Sequence, residues 1–562
     1  MFIYLILPML SIFIIWLYIA FISFTYGLFW LEILFRTGYI RNETIIPVEI
    51  ILVTGSGVLS VIVSILHLWL PISITIQSIL LAGSLLILWL WKDNLVLILK
   101  NQKLAVRYIL PYWVLLFIFL LLILIHAAQP ANAPDTGLYH AQTIQWFEKY
   151  KVVPGLGNLF GPLALNSHAH VLMSLFSFSF LKLKTFHQTW GSFVFLIYSS
   201  YALREGLKSI HTCPAFAVYY FGSLFWGFVF FRDWISSPTP DPVVMFFFFF
   251  LFGVSLASEK LQGVNWQAAF VFLLLPVLVS FKLSALFGGI VGLAWLIIFK
   301  NKVNYRIYKI ITIQALVVLL PFFLRNLVLS GHLLYPLLSL DVFHMDWKIP
   351  QSWLISYTEG IAAFARVPTG NWPNYIDKPI AVWLKIWWEN QDRPDKVFLV
   401  ILGLLLPFFL KRVLNNIQRK SELELSILWL STFLASIVWF CSAPAIRFGY
   451  GYLVPVLLIG LILLIRTKIP AMAILFWGLL LGLYGINGIY KQINRAPTSL
   501  IWPHEYRKPI IEVRQIGKLK IRVAVSDGRC WNEPIPCTYP IPHPGLEMRG
   551  KRIEDGFRTS QY

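Results

Sequence analysis

The chain has 562 residues and a formal net charge of +20; 58% of its residues are hydrophobic, 16% aromatic and 13% charged. With a mean hydropathy of +0.72, these values exclude a soluble globular protein of this length. The positive balance does not indicate nucleic acid, because no groove-reading motif accompanies it; it fits many short basic loops plus a basic tail.

A bilayer core takes roughly 20 apolar residues per helix, and about fourteen segments meet that need. They are 2–24, 47–70, 74–91, 108–126, 187–204, 213–231, 242–258, 266–281, 284–299, 309–328, 397–410, 424–441, 451–465 and 470–489. The first lacks a basic leader and a small-residue cleavage site, so it reads as a spanning helix. Basic residues follow every odd-numbered segment: Arg36 and Arg41, then Lys92, Lys100, Lys103 and Arg107, then Arg204 and Lys208, then Lys260. Lys300, Lys302, Arg306 and Lys309 continue the series, then Lys411, Arg412, Arg419 and Lys420, and finally Arg466 and Lys468. The positive-inside rule makes those loops cytoplasmic and puts both termini outside. The expected fold is an all-α polytopic membrane protein with a small strand-containing extracytoplasmic tail. Its expected parts are accessory helices over 1–107, a main transmembrane region over 108–490 with outer loops 127–186 and 329–396, and the tail 491–562.

The first outer loop opens on Pro134-Asp135-Thr136, a helix start. Tyr139, Thr143, Trp146 and Tyr150 step by four, three and four and share a face. That aromatic stripe predicts an amphipathic helix lying in the headgroup region. Asp135 is either an N-cap or a carboxylate held as a general base, and the roles are compatible. His140 is a polar-face residue, a substrate ligand or a metal ligand. His168 and His170 could join Asp135 around a metal, although their two-residue spacing suits an extended segment.

Asp241, in SSPTPDPVV, caps a Phe-rich span or supplies a second carboxylate near the level of Asp135. Asp233 has Arg232 as its neighbour. Lys282, Arg325 and Arg447 fall at outer span ends, where basic residues oppose the inside bias. An arginine fork suits phosphate oxygens, so the three cations predict one phosphate site; isolated interface anchors are the alternative. In the tail, Ile521 to Val525 has strand character, followed by a Ser526-Asp527-Gly528 turn. Cys530 and Cys537, in CWNEPIPC, fit a small disulfide loop of an oxidising compartment. A zinc pair is the rival, but no second ligand pair of suitable spacing follows.

Four marks in one order resemble the GT-C superfamily of multi-pass glycosyltransferases: Asp135 to Tyr139 (DTGLY) in the first outer loop; Asp241 opening a later span; Arg325-Asn326 followed by SGHLLYP; and Ala443-Pro444-Ala445-Ile446-Arg447 after a late span. The resemblance covers roughly the fourth to fourteenth segments; the first three have no counterpart, and Leu334 and the shifted proline depart from the commoner motif. It implies transfer of a sugar from a polyprenyl-phosphate carrier to a glycan, lipid or protein acceptor at the outer face of the cytoplasmic membrane. Asp135 would be the base. Tyr139, His140, Asp241, Lys282, Arg325, Asn326 and Arg447 would bind substrates, with a divalent cation beside Asp241 and His140 left open. An envelope polysaccharide polymerase or ligase shares most of this chemistry. A transporter would place ionisable groups deeper and show matching halves; only Glu49 fits the first condition.

Overall fold

The computed structural model describes residues 2–40, 45–92, 106–182, 186–258, 263–337, 343–465, 504–517, 519–539, 542 and 545–559. The segment expected at 470–489 lies outside them, as do Arg41, Lys100, Lys103, Lys260, Arg466, Lys468 and Lys518. Numbering the longer helices in chain order gives α1 Phe2–Arg36, α2 Val48–Leu66, α3 Ile74–Leu90, α4 Val106–Ala127, α5 Ala141–Lys149 and α6 His168–Leu175. Next come α7 Thr189–Thr212, α8 Pro214–Phe231, α9 Pro240–Ser258, α10 Asn265–Phe281, α11 Gly288–Phe299 and α12 Ile307–Ser330. The series ends with α13 Gln351–Arg366, α14 Ile380–Glu389, α15 Arg393–Arg419, α16 Leu423–Ser442 and α17 Ile446–Leu464. Among the described residues, 9 helices are long and apolar enough to cross a membrane.

Three expected segments move. The helix expected over 187–204 runs from Thr189 to Thr212, so Arg204 and Lys208 are helical residues. The first helix continues to Arg36, well past residue 24. The helix expected over 397–410 runs from Arg393 to Arg419, so Lys411 and Arg412 are helical residues, not loop residues. The Arg412 guanidinium meets Glu422 of the following turn at 3.0 Å.

The bundle is centred on α9 and α17, whose apolar windows are 94% and 83% buried. Phe246 to Phe250 and Phe252 are all buried, as expected for a helix that is apolar on every side. The two helices pack together, and Gly451 permits it: a Cβ there would lie 2.6 Å from the Phe248 ring. This contact sets the helix starts side by side, and those starts carry Asp241 and Arg447.

The leading helices are built into the same core. Trp16 donates its indole N–H to Thr189 O at 3.0 Å, and Thr25 donates to Ser84 Oγ at 2.9 Å. α1 and α2 touch backbone to backbone, as small residues allow where no hydrophobic effect drives helices together. A Cβ on Gly55 would fall 1.6 Å from Ser23 O, and one on Gly27 would fall 2.1 Å from Ile51 O.

The tail forms the expected strands. β1 (Ile511–Ile516) pairs antiparallel with β2 (Leu519–Ala524), which pairs parallel with β3 (Cys537–Thr538). β4 (Leu546–Met548) and β5 (Phe557–Thr559) make a second pair. Cys530 and Cys537 form a disulfide. The tail clamps the first loop: Trp531 N donates to Gly137 O at 2.9 Å and Phe557 N to Pro154 O at 3.0 Å. Gln142 donates to Glu533 O at 2.8 Å, and Gln145 to Asn532 Oδ1 at 2.6 Å.

That clamp corrects the reading of α5 as a helix in the headgroups. Thr143 and Trp146 are buried in protein, and so are Gln142 and Gln145. Trp146 of the aromatic stripe meets Phe557 of the tail edge to face, and the two glutamines bond to the segment between the cysteines.

The glycine contacts give a direct test. Gly55→Ala should lower the thermal midpoint of the detergent-purified protein by several degrees, since overpacking a close contact costs about 1–3 kcal/mol. Gly403→Ala, where a Cβ meets nothing within 4 Å, should leave the midpoint unchanged or raise it; equal effects would remove the close-contact account.

Candidate functional site

Asp135 precedes a single π-helical turn, Thr136–His140, that leads into α5. Such turns often occur at functional sites. Asp135 occupies the N-cap position but makes no capping hydrogen bond, which overturns the cap reading. Its carboxylate instead accepts from Arg447 Nη2 at 2.8 Å, across 312 residues. Arg447 Nε lies 3.6 Å from Asp241 Oδ2. Asp241 Oδ1 is in direct contact with Lys282 Nζ. Lys282, just past α10, also sits 3.7 Å from the centroid of the Phe448 ring. Arg447 lies over the Trp234 ring at 5.6 Å.

Four of the expected site residues therefore form one ionic set of two carboxylates and two cations. Asp241 is buried at 2% side-chain exposure, whereas Asp135, Arg447 and Lys282 keep 21%, 22% and 24%. A set that is balanced in charge, closed on one side and open on the other can receive a charged ligand.

Beside it lie His140 and His170, with ring centroids 4.7 Å apart. Burial, then Lys282 and Arg447, hold His140 well below the usual imidazole range. Burial, then His140 and Lys282, do the same to His170. Both rings are therefore neutral at pH 7. Burial and the charge of Asp135 push the Tyr139 phenol well up, and the same causes raise Tyr357 of α13. Tyr357 belongs to the segment between α12 and α15 and was missed in the sequence. Its only local signal is its place on a helix with an exposed aromatic and apolar face.

Arg325 and Asn326 do not join this set. Arg325 is fully buried; its Nε donates to Asn166 Oδ1 at 2.9 Å and its Nη1 meets His67 Nδ1. Its guanidinium also lies over Phe147 at 4.8 Å. Asn326 donates to Leu333 O at 3.2 Å, securing the turn after α12. The expected three-cation site thus contains Lys282 and Arg447 only, because Arg325 points into the bundle toward α2 and the first loop. His168 and His170 start a helix, α6, and diverge: His168 faces Phe322 and His170 faces His140. Among the described residues, no group of three or more His, Cys, Asp or Glu side chains is placed to hold a metal ion. Asp233 pairs with Arg232 at 3.5 Å, a purely local contact.

The long apolar helices define the class: a multi-pass helical membrane protein. The family profile described as a domain of unknown function (DUF8201) matches residues 9–454, and the chain belongs to that family. Neither a curated protein nor a solved structure matches the chain.

The neutral histidines set a pH dependence. Below the ordinary imidazole value of 6.5, the unfolded chain binds protons that folded His140 and His170 refuse. Stability is then complete above that value and falls as pH drops, by at most about 1.4 kcal/mol per pH unit per histidine. The thermal midpoint should fall between about pH 7 and pH 5.5. The double change His140→Gln, His170→Gln should reduce that slope, the remainder coming from groups such as His168, which burial and Arg325 also hold well below the usual range; an unchanged slope would place the titration elsewhere.

Proposed function

We propose that this chain is a membrane glycosyltransferase of GT-C type, using a polyprenyl-phosphate-linked sugar at the outer face of the cytoplasmic membrane. In this reading about fourteen helices span the bilayer, both termini are extracytoplasmic, and the acceptor is an envelope glycan, lipid or protein. One observation carries the proposal: Asp135, Asp241, Lys282 and Arg447, from four distant parts of the chain, meet in one partly open ionic set.

The chemistry follows from who holds whom. At rest, Arg447 occupies the Asp135 carboxylate. The lipid phosphate of a donor competes for the same guanidinium, which binds phosphate oxygens as a planar fork. Moving Arg447 onto phosphate releases Asp135, so the base becomes free when the donor is in place. Asp135 then takes the proton of the acceptor hydroxyl. That oxygen bonds to the anomeric carbon, the carbon–phosphate-oxygen bond breaks, and the lipid phosphate leaves with both electrons. Lys282 and Arg447 stabilise the departing negative charge. Direct displacement inverts the anomeric centre. Asp241 holds the two cations in position, and neutral His140 accepts a hydrogen bond from an acceptor hydroxyl.

A polysaccharide polymerase or ligase would use the same groups on a larger lipid-linked donor. The assay that separates them offers membranes a monosaccharide on polyprenyl phosphate or an oligosaccharide on polyprenyl diphosphate.

With the accepted donor, Asp135→Asn should lower transfer by about 10²–10⁴ while donor affinity holds or rises, because the carboxylate that competes for Arg447 has lost its charge. Full transfer by that variant would end the base assignment. Arg447→Ala should weaken donor binding by about ten- to a hundredfold, the loss of one charge-assisted contact; unchanged donor affinity would remove the phosphate role.

A further inference from the structure

At the end of the bundle away from Asp135 there is a groove of about 1900 Å³. It runs along the first half of α4, whereas Asp135 follows that helix's other end. Small-molecule sites enclose roughly 300–1,000 Å³, so this groove suits something longer. Its flank is apolar and open: Ile109, Trp113 and Phe117 line it and are exposed. Its polar end is formed by the turn after α1 and by Gly263 and Asn304.

A polar ladder climbs its floor. Tyr112 and Ser200 share a hydrogen bond of 2.8 Å. Ser200 donates to Glu49 Oε1 at 2.6 Å, and Arg204 Nη2 lies 3.0 Å from Glu49 Oε2. Arg204 also lies 3.4 Å from Glu205, and Glu205 lies 3.6 Å from Lys208. Ser200, Arg204 and Lys208 are four residues apart and share one face of α7. Burial falls along the ladder, from 7% exposure at Glu49 and 15% at Arg204 to 61% at Lys208. Arg204 Nε makes no hydrogen bond among the described residues.

We propose that this groove binds one membrane phospholipid with a zwitterionic, amine-bearing head group. Charge order is the argument. The ladder alternates carboxylate, guanidinium, carboxylate, ammonium, which matches a head group carrying one phosphate and one ammonium. The phosphate meets Lys208, the exposed end of the ladder, and the ammonium meets Glu205. The acyl chains lie along the apolar flank. A wholly anionic head would face Glu49 and Glu205, whose charges Arg204 and Lys208 only balance, so it is disfavoured. This inference is independent of the transfer reaction, which concerns the opposite end of the bundle.

The test is native mass spectrometry of the full chain, purified in detergent and offered equal phosphatidylethanolamine and phosphatidylglycerol. One retained ethanolamine lipid is expected, at about tenfold preference or more, a difference near 1.4 kcal/mol. Gly263→Trp should abolish retention, because a Cβ there meets nothing within 4 Å and the indole would occupy the polar end of the groove. Glu205→Gln leaves Arg204 paired with Glu49 and should erase the preference while keeping a bound lipid. Preference for the glycerol lipid, or undiminished retention in folded Gly263→Trp, overturns the proposal. If Gly263→Trp does not fold, Glu205→Gln decides alone: an unaltered preference refutes the head-group assignment.

Discussion

Arg447 holds two carboxylates that would otherwise repel each other at a closed surface, and the site's geometry depends on that fork. Asp241 is nearly out of contact with solvent, and a lone buried carboxylate is costly. It is kept by Lys282 on one oxygen and Arg447 near the other. Breaking such a set by removing one partner typically costs about 3–5 kcal/mol, because the other charge stays behind. Arg447 can serve both carboxylates only because α9 and α17 start at the same level, and the Gly451 approach to Phe248 makes that possible.

Asp135 reaches the fork by a different route. It sits on a loop, and loops need something to fix them. Here the fixing element is the tail. Trp531 packs on Gly137, where a Cβ would fall 2.6 Å from the indole ring. Gln142 and Gln145 are bonded to the segment between the two cysteines. A region this small holds its shape poorly without a staple, and the Cys530–Cys537 disulfide supplies one directly behind the loop. The tail thus contributes to the site without contributing a side chain to the ionic set.

The sequence made Asp135, Asp241, Lys282 and Arg447 legible because charge is expensive beside lipid. A carboxylate or cation at the edge of an apolar span needs a reason, and four at corresponding edges need a shared one. Arg325 carried the same signature and went elsewhere. Its partners, His67 and Asn166, lie 258 and 159 residues away, and nothing local distinguishes an arginine turned inward from one turned toward the surface. The stripe on α5 was misread for a similar reason: helical periodicity shows that a face is covered but not whether lipid or protein covers it. Glu49 read as a solitary buried charge. It proves to be one rung of a ladder whose cations, Arg204 and Lys208 of α7, looked like ordinary loop residues.

The bundle therefore carries two balanced ionic sets, one near each end, and balance has a consequence for binding. A free cationic pocket would attract any anion, whereas a set whose cations are already engaged yields only to a ligand that replaces what it displaces. In the proposed reaction, an incoming phosphate would gain Arg447 only by taking it from Asp135, so binding and exposure of the carboxylate would be one event. In the proposed lipid groove, the alternation of sign would favour a head group that carries both charges at once. On both proposals, selectivity would come from the intramolecular pairs that a ligand must break and remake, and the same residues would stabilise the empty protein and choose what enters it.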